Sequence, residues 1–138
     1  MQAETNAPVT LEFFAEPEHL VDVRRLVERL GSKTTLSREQ LSDLLTAVDE
    51  ATANAIRYGS PNGDRSLVKV ICHPLTSGLI VEVRDNGGGF AVPLASKMPA
   101  PDALGGRGLP LMVALADSIE IASTGKGTTV TLKKLSNR

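Results

Sequence analysis

Glu50 and Asn54 stand four residues apart in DEATANAIRY. On a helix that spacing puts both on one face, and the face lies away from the leucines of the same segment. An Asn amide oxygen is a hard ligand suited to Mg²⁺, which takes its other oxygens from waters and phosphates. A carboxylate one turn earlier can accept a proton from an attacking hydroxyl or water. Two solvated residues on a helix surface would show the same spacing. Asp85 raises a similar question. It follows LIVEV and opens Asp85-Asn-Gly-Gly-Gly-Phe90. Asp before Gly often just forms a turn. A carboxylate is also an acceptor for an exocyclic amine such as N6 of adenine, and it would repel the carbonyl oxygen that guanine offers there. Gly87 and Gly89 would let the backbone approach a base without a Cβ in the way.

Two further stretches suit phosphates. In GGRGLP, Gly106 and Gly108 flank Arg107 at an expected helix start. Backbone N–H groups and the helix dipole favour an anion there, and Arg107 adds a charge-assisted contact. In Gly127-Thr128-Thr129 a hydroxyl and N–H groups could face the same phosphates. A flexible loop-to-helix junction and a plain hairpin are the alternatives for these two stretches. Two other nucleotide patterns are missing. Gly125-Lys126 is followed by Gly127 rather than Ser or Thr, so there is no P-loop, and no G-x-G-x-x-G occurs.

The elements that must position these residues can be read from periodicity. VTLEFF, residues 9–14, predicts a short strand. Leu20, Val23, Leu26, Val27 and Leu30 recur at helical spacing between Glu18 and Leu30, with Gly31 as a stop signal. Ser37-Arg-Glu-Gln40 has the capping-box pattern. It opens a long helix to about Tyr58, which Gly59-Ser-Pro-Asn-Gly63 ends. Strands are expected at 66–73 and 78–85, paired through Pro74–Ser77. Residues 86–105 form a long loop with Pro93, Pro99 and Pro101, the length of a lid. A helix from about Gly106 to Ala116 and strands at 118–124 and 127–134 complete the chain, and Pro110 fits only the helix's first turn. Together they predict an α+β sandwich with helices on one face of a mostly antiparallel mixed sheet. Residues 1–8 read as a loose tail and 9–138 as one domain.

Bulk properties narrow the classes. The chain has 138 residues and a net charge of −1. That length suits one core, and the charge gives no electrostatic footprint for nucleic acid or an anionic membrane. No apolar run nears the roughly 20 residues that span a bilayer, and MQAETNAPVT lacks the basic and apolar regions of a signal peptide. Three Phe, one Tyr and no Trp leave little for base stacking on single strands. Cys72 is the only cysteine, so no internal disulfide forms and a cytoplasmic setting is expected. It reads as a buried strand residue. His19 and His73 have no Cys or His cluster around them, so a zinc site is not expected.

The order of these pieces is more specific than any one of them. E-x-x-x-N on a helix precedes D-x-G-x-G after a strand, then a lid, then G-x-G opening a helix, then G-T-T on a strand. AVDEATANAIRYGS resembles the N box of the GHKL (Bergerat-fold) ATPases, RDNGGGF their D-x-G-x-G box, and GGRGLPLM their second glycine box. LEFFAEPEHLVDVRRLVERL and GKGTTVTLKK are similar to the first strand and helix and the last strand of one subgroup, the anti-sigma-factor serine kinases. The resemblance runs from about residue 9 to 134.

That resemblance implies a two-layer α/β sandwich of the histidine-kinase-like ATPase type, with ATP and Mg²⁺ as ligands. It implies Glu50 as catalytic base, Asn54 as Mg²⁺ ligand, and Asp85 on the adenine amine with Gly87 and Gly89 beside it. Gly106 and Gly108 would frame the phosphates, Thr128 or Thr129 would close the pocket, and Arg24 matches a partner-contact position. The implied partners are a STAS-type anti-sigma antagonist phosphorylated on Ser, a sigma factor, and a second copy in a homodimer. Tyr58 departs from the subgroup, where many N boxes end in His. Two other readings stay open. One is an ATP-binding partner-switch module that transfers nothing. The other is a lone histidine-kinase catalytic domain, which would lack the helical hairpin carrying a phospho-acceptor His. The further domain of the chaperone and mismatch-repair members would not fit in this length.

Overall fold

The computed structural model describes residues 7–58, 66–86, 108–124 and 127–136. Residues 1–6 of the expected tail, the loop after Tyr58, the lid and the tip of the last hairpin lie outside the described residues. The elements in chain order are β1 (Val9–Phe14), α1 (Leu20–Gly31), α2 (Arg38–Tyr58), β2 (Leu67–Leu75), β3 (Gly78–Asp85), α3 (Gly108–Leu115), β4 (Ser118–Thr124) and β5 (Gly127–Leu135). A 3₁₀ turn over Pro17–His19 leads into α1.

The strands form one sheet in the order β1-β2-β3-β5-β4. Every pairing is antiparallel, where the sequence reading allowed a mixed sheet. Because β5 is inserted between β3 and β4, those two strands run in the same direction, and the connection containing α3 links them. Alternation along β2 buries Val68, Val70, Cys72 and Pro74, and along β3 it buries Leu79, Val81, Val83 and Asp85. This is the period of two that a half-covered sheet requires. Pro74 falls beyond the last β1–β2 pair, Val9 with Cys72, so its missing N–H interrupts no ladder on that side. The two-residue turn is Thr76-Ser77, and Pro74 and Leu75 belong to the strand.

The helices cover that buried face. On α1, Val23, Leu26, Val27 and Leu30 face inward. Gly31 is the helix's last residue, and a Cβ there would drive into the Leu41 side chain. Its role is therefore close approach of α2, and the chain goes on through Ser32 in a right-handed conformation. Helix α2 begins with the expected capping box. Ser37 N donates to Gln40 Oε1 at 2.9 Å and Gln40 N donates to Ser37 Oγ at 3.0 Å, so two N–H groups at the helix start are satisfied. Its buried side, including Leu44, Val48, Ala51 and Ala55, rests on β3 and β5, with α1 and α3 as neighbours. Lys134 Nζ donates to the Leu115 carbonyl at 2.9 Å and closes the C-terminal end of α3. Cys72 is fully buried, as expected, and burial pushes its thiol up to about 12. Among the described residues no helix is long and apolar enough to cross a membrane.

One core group breaks the pattern. Thr52 is completely buried, and among the described residues its Oγ1 has no hydrogen-bond partner. It lies three residues after Asp49, which bonds Arg24 of α1, so it sits on the α1 side of α2. Thr52→Val keeps the shape and removes the orphan hydroxyl. We expect it to raise stability by about 1 kcal/mol, measured as a higher urea midpoint, with nucleotide affinity unchanged. A loss of nucleotide binding would put Thr52 in the ligand site instead.

Candidate nucleotide site

The covered sheet face is built of cross-strand ranks. Val9, Cys72, Val81, Leu132 and Ile119 are register partners in turn across the sheet, and Leu11, Val70, Val83, Val130 and Ile121 form the next rank. Both are apolar. The third rank is Phe13, Val68, Asp85, Thr128 and Ser123. It starts apolar and turns polar at β3, at the strand end where the first glycine box begins. Asp85 and Thr128 are 7% and 2% exposed, so these polar groups belong to the interior. A buried carboxylate needs hydrogen bonds or a ligand that supplies them. Thr128 N donates to Asp85 Oδ1 at 3.3 Å, and Thr128 Oγ1 lies 3.1 Å from Ser123 Oγ.

The register also separates the two threonines. Thr128 pairs with Asp85 on the covered face. Thr129 pairs with Arg84, so its side chain points to the opposite face with Glu12, Lys69 and Ala122. Of the two threonines expected to serve the pocket, Thr128 shares the covered face with Asp85 and Thr129 does not. Gly127 has φ +152°, and a Cβ there would collide with the Asp85 carbonyl. Only glycine sits easily with that backbone. The segment is the expected plain hairpin between β4 and β5, and the close approach to Asp85 gives its Gly a packing reason.

Glu50 and Asn54 lie on α2, which packs on the two strands that carry Asp85 and Thr128. Glu50 is partly buried. Asn54 is only 7% exposed, although the sequence reading put its face away from the leucine stripe. With the sheet beneath and a helix on either side, α2 leaves little open surface on that flank. Among the described residues Asn54 Nδ2 has no partner. A nucleotide–Mg²⁺ complex could use both ends of this amide, phosphate oxygen accepting from the nitrogen and the cation binding the oxygen. The residues present therefore fit the group.

Arg24 stands on α1, apart from this cluster. Its Nη1 is 2.6 Å from Asp49 Oδ2, and both side chains are partly exposed. Burial raises the Asp49 carboxyl above its ordinary value, and Arg24 pulls it partway back. Gly108 begins α3. Gly87, Gly89, Gly106 and Arg107 lie outside the described residues. Sequence reasoning missed Ser123, Asp49 and the packing demand on Gly127. Only the register and the α1–α2 contact bring these out. His73 and His19 are taken by carboxylates: His73 Nε2 is 2.6 Å from Glu82 Oε2, and His19 Nδ1 is 3.1 Å from Asp22 Oδ2.

Comparison with known proteins bears on the family and the fold. The profile of the histidine kinase-like ATPase domain matches residues 13–134. An anti-sigma F factor of Clostridium perfringens (strain SM101 / Type A) is 31% identical, with 92% of this chain and 95% of that protein aligned. The serine-protein kinase RsbW of Bacillus pumilus (strain SAFR-032) is 30% identical, with 98% of this chain and 90% of that protein aligned. Among solved structures, the RsbU and RsbW domains of a Mycobacterium tuberculosis protein superpose with a TM-score of 0.68 at 18% identity. That superposition covers 93% of this chain and 32% of the solved one, so the chain spans about a third of it. With a profile match over most of its length, the chain belongs to the histidine kinase-like ATPase domain family.

Proposed function

We propose that this protein is an anti-sigma factor with ATP- and Mg²⁺-dependent protein serine kinase activity. Its acceptor is a Ser of a STAS-type antagonist, and in its other state it holds a sigma factor. The observation that carries this reading is the buried Asp85 carboxylate at the polar end of an apolar sheet face. It lies in a chain similar over nearly its whole length to proteins named anti-sigma F factor and serine-protein kinase RsbW.

The roles follow from chemistry. Asp85 accepts from the adenine amine and disfavours guanine. Asn54 would hold Mg²⁺ through its amide oxygen, and the ion would offset negative charge on the phosphates. Thr128 closes the pocket beside Asp85, with Gly108 at the head of α3 and Gly87, Gly89, Gly106 and Arg107 around base and phosphates. Glu50 takes the proton from the acceptor Ser Oγ as that oxygen attacks the γ-phosphorus. The bond from that phosphorus to the β–γ bridging oxygen breaks, and ADP leaves with the pair. Arg24 meets the partner protein, and two copies form a homodimer. One surface with two competing partners makes a switch that nucleotide and phosphorylation can bias.

The test is affinity capture from a lysate of the source organism, with and without Mg-ATP, read by intact-mass spectrometry. The expected result is a small partner that gains one phosphate on Ser only when Mg-ATP is present. Capture of a sigma-like protein with no phosphate transferred would leave a nucleotide-dependent binding module.

A further inference from the structure

A cation lies on the covered face of the sheet, at the end away from Asp85. The register adds Pro74, Leu79 and Lys134 as one more rank beyond Cys72, Val81 and Leu132. Pro74 and Leu79 are buried, and the Lys134 side chain is only 12% exposed. An ammonium in such a place needs partners. Its Nζ donates to the Leu115 carbonyl at 2.9 Å, and Asp117 Oδ1 and Asp43 Oδ2 lie 3.6 and 3.8 Å away. Asp117 is itself held by β5, since its Oδ2 accepts from Leu135 N at 2.7 Å and its N donates to the Lys133 carbonyl at 2.8 Å. One side chain of β5 thus ties the last residue of α3 to the sheet, with a carboxylate of α2 close by.

The consequence lies at the other end of α3. This helix has eight residues, Gly108–Leu115, and is about 12 Å long. Met112, 1% exposed, fixes its middle to the core. A rod fixed at one point can still swing. A second fixed point at Leu115 sets its direction, and therefore where the Gly108 end stands. We propose that Lys134 is a positioning residue for the nucleotide's phosphates. By holding the C-terminal end of α3, it keeps the N–H groups of the opposite end aimed at them. This rests on the reading of the second glycine box as a phosphate cradle. Hydrogen bonds weaken steeply with misalignment, so a swing of α3 loses phosphate contacts. The base end does not depend on α3, because Asp85 and Thr128 belong to β3 and β5.

The test uses the full chain as wild type, Lys134→Met and Lys134→Arg. Mg-ATP binding is measured by isothermal titration, and adenosine binding by the NMR shift of the Thr128 amide, which lies beside Asp85. Lys134→Met keeps most of the apolar stem and removes the donor. It should weaken Mg-ATP about tenfold and leave adenosine within about twofold. Lys134→Arg retains a donor and should bind Mg-ATP within about threefold of wild type. Equal losses for both ligands, an unchanged Mg-ATP affinity, or a Lys134→Met chain that no longer folds would overturn the positioning role and leave the cradle standing. A wild type that binds Mg-ATP no better than adenosine, or binds neither, would overturn the cradle reading and the assignment together.

Discussion

Asp85→Asn should lower ATP affinity about a hundredfold or more, because it turns an acceptor into a donor at a buried site. The register shows which contact the variant keeps. Asp85 Oδ1 accepts from Thr128 N, and an Asn oxygen can keep that bond. The amide nitrogen then replaces the second carboxylate oxygen. Facing the adenine amine, it sets donor against donor. The fold should survive, and an unfolding curve close to wild type checks that the loss belongs to the ligand. The same logic orders the nucleotides. Wild type should prefer ATP to GTP by orders of magnitude, since a site built around polar pairing rejects a mismatched group strongly. Equal affinity for ATP and GTP, or an unchanged affinity for ATP in Asp85→Asn, would remove adenine from this end of the sheet.

Glu50→Ala is expected to have the larger kinetic effect and almost no binding effect. Loss of a positioned base lowers transfer by roughly 10²- to 10⁴-fold. Glu50 is only partly buried, so its removal leaves no sealed cavity in the core. Titration with Mg-ATP should give an affinity within about twofold of wild type, because a base that acts on the acceptor adds little to ground-state binding. The rate of phosphate gain on the captured partner, followed by mass, is the discriminating readout. A variant that transfers at the wild-type rate would return Glu50 to the helix surface. One that loses ATP binding and transfer together would make it a ligand contact.

Much of the architecture could be read along the chain because the signals were local. The alternation of VKVIC and LIVEV can bury only one face, and β3 came out at 78–85 as expected. The Ser37–Gln40 cap marks the start of α2 in sequence and forms it in space. Non-local facts were harder. Nothing in GTTVTLKK says that it inserts between β3 and β4, yet that insertion puts Thr128 beside Asp85 and turns Thr129 away. Gly31 looked like a helix stop and is the last residue of α1, but its contact with Leu41, ten residues further on, was not visible. Asn54 looked exposed because a helical wheel shows one helix at a time. Its burial depends on neighbours that arrive much later in the chain. The glycine boxes were legible only as a pattern, and Gly87, Gly89, Gly106 and Arg107 lie outside the described residues.

The tight passage of Gly127 beside the end of β3 bears on quality control. A slip of β5 by one residue would leave strand content nearly unchanged, so circular dichroism would not detect it. It would put Gly127 or Thr129 opposite Asp85, with every side chain of the strand on the wrong face. It would also ask a residue with a Cβ to take Gly127's backbone at φ +152°. Misaligned molecules would therefore be both disfavoured and unable to bind nucleotide. The stoichiometry of an ATP titration then counts correctly aligned sheets, molecule by molecule. A preparation that binds half an equivalent with full affinity would be half misfolded, however native its spectrum.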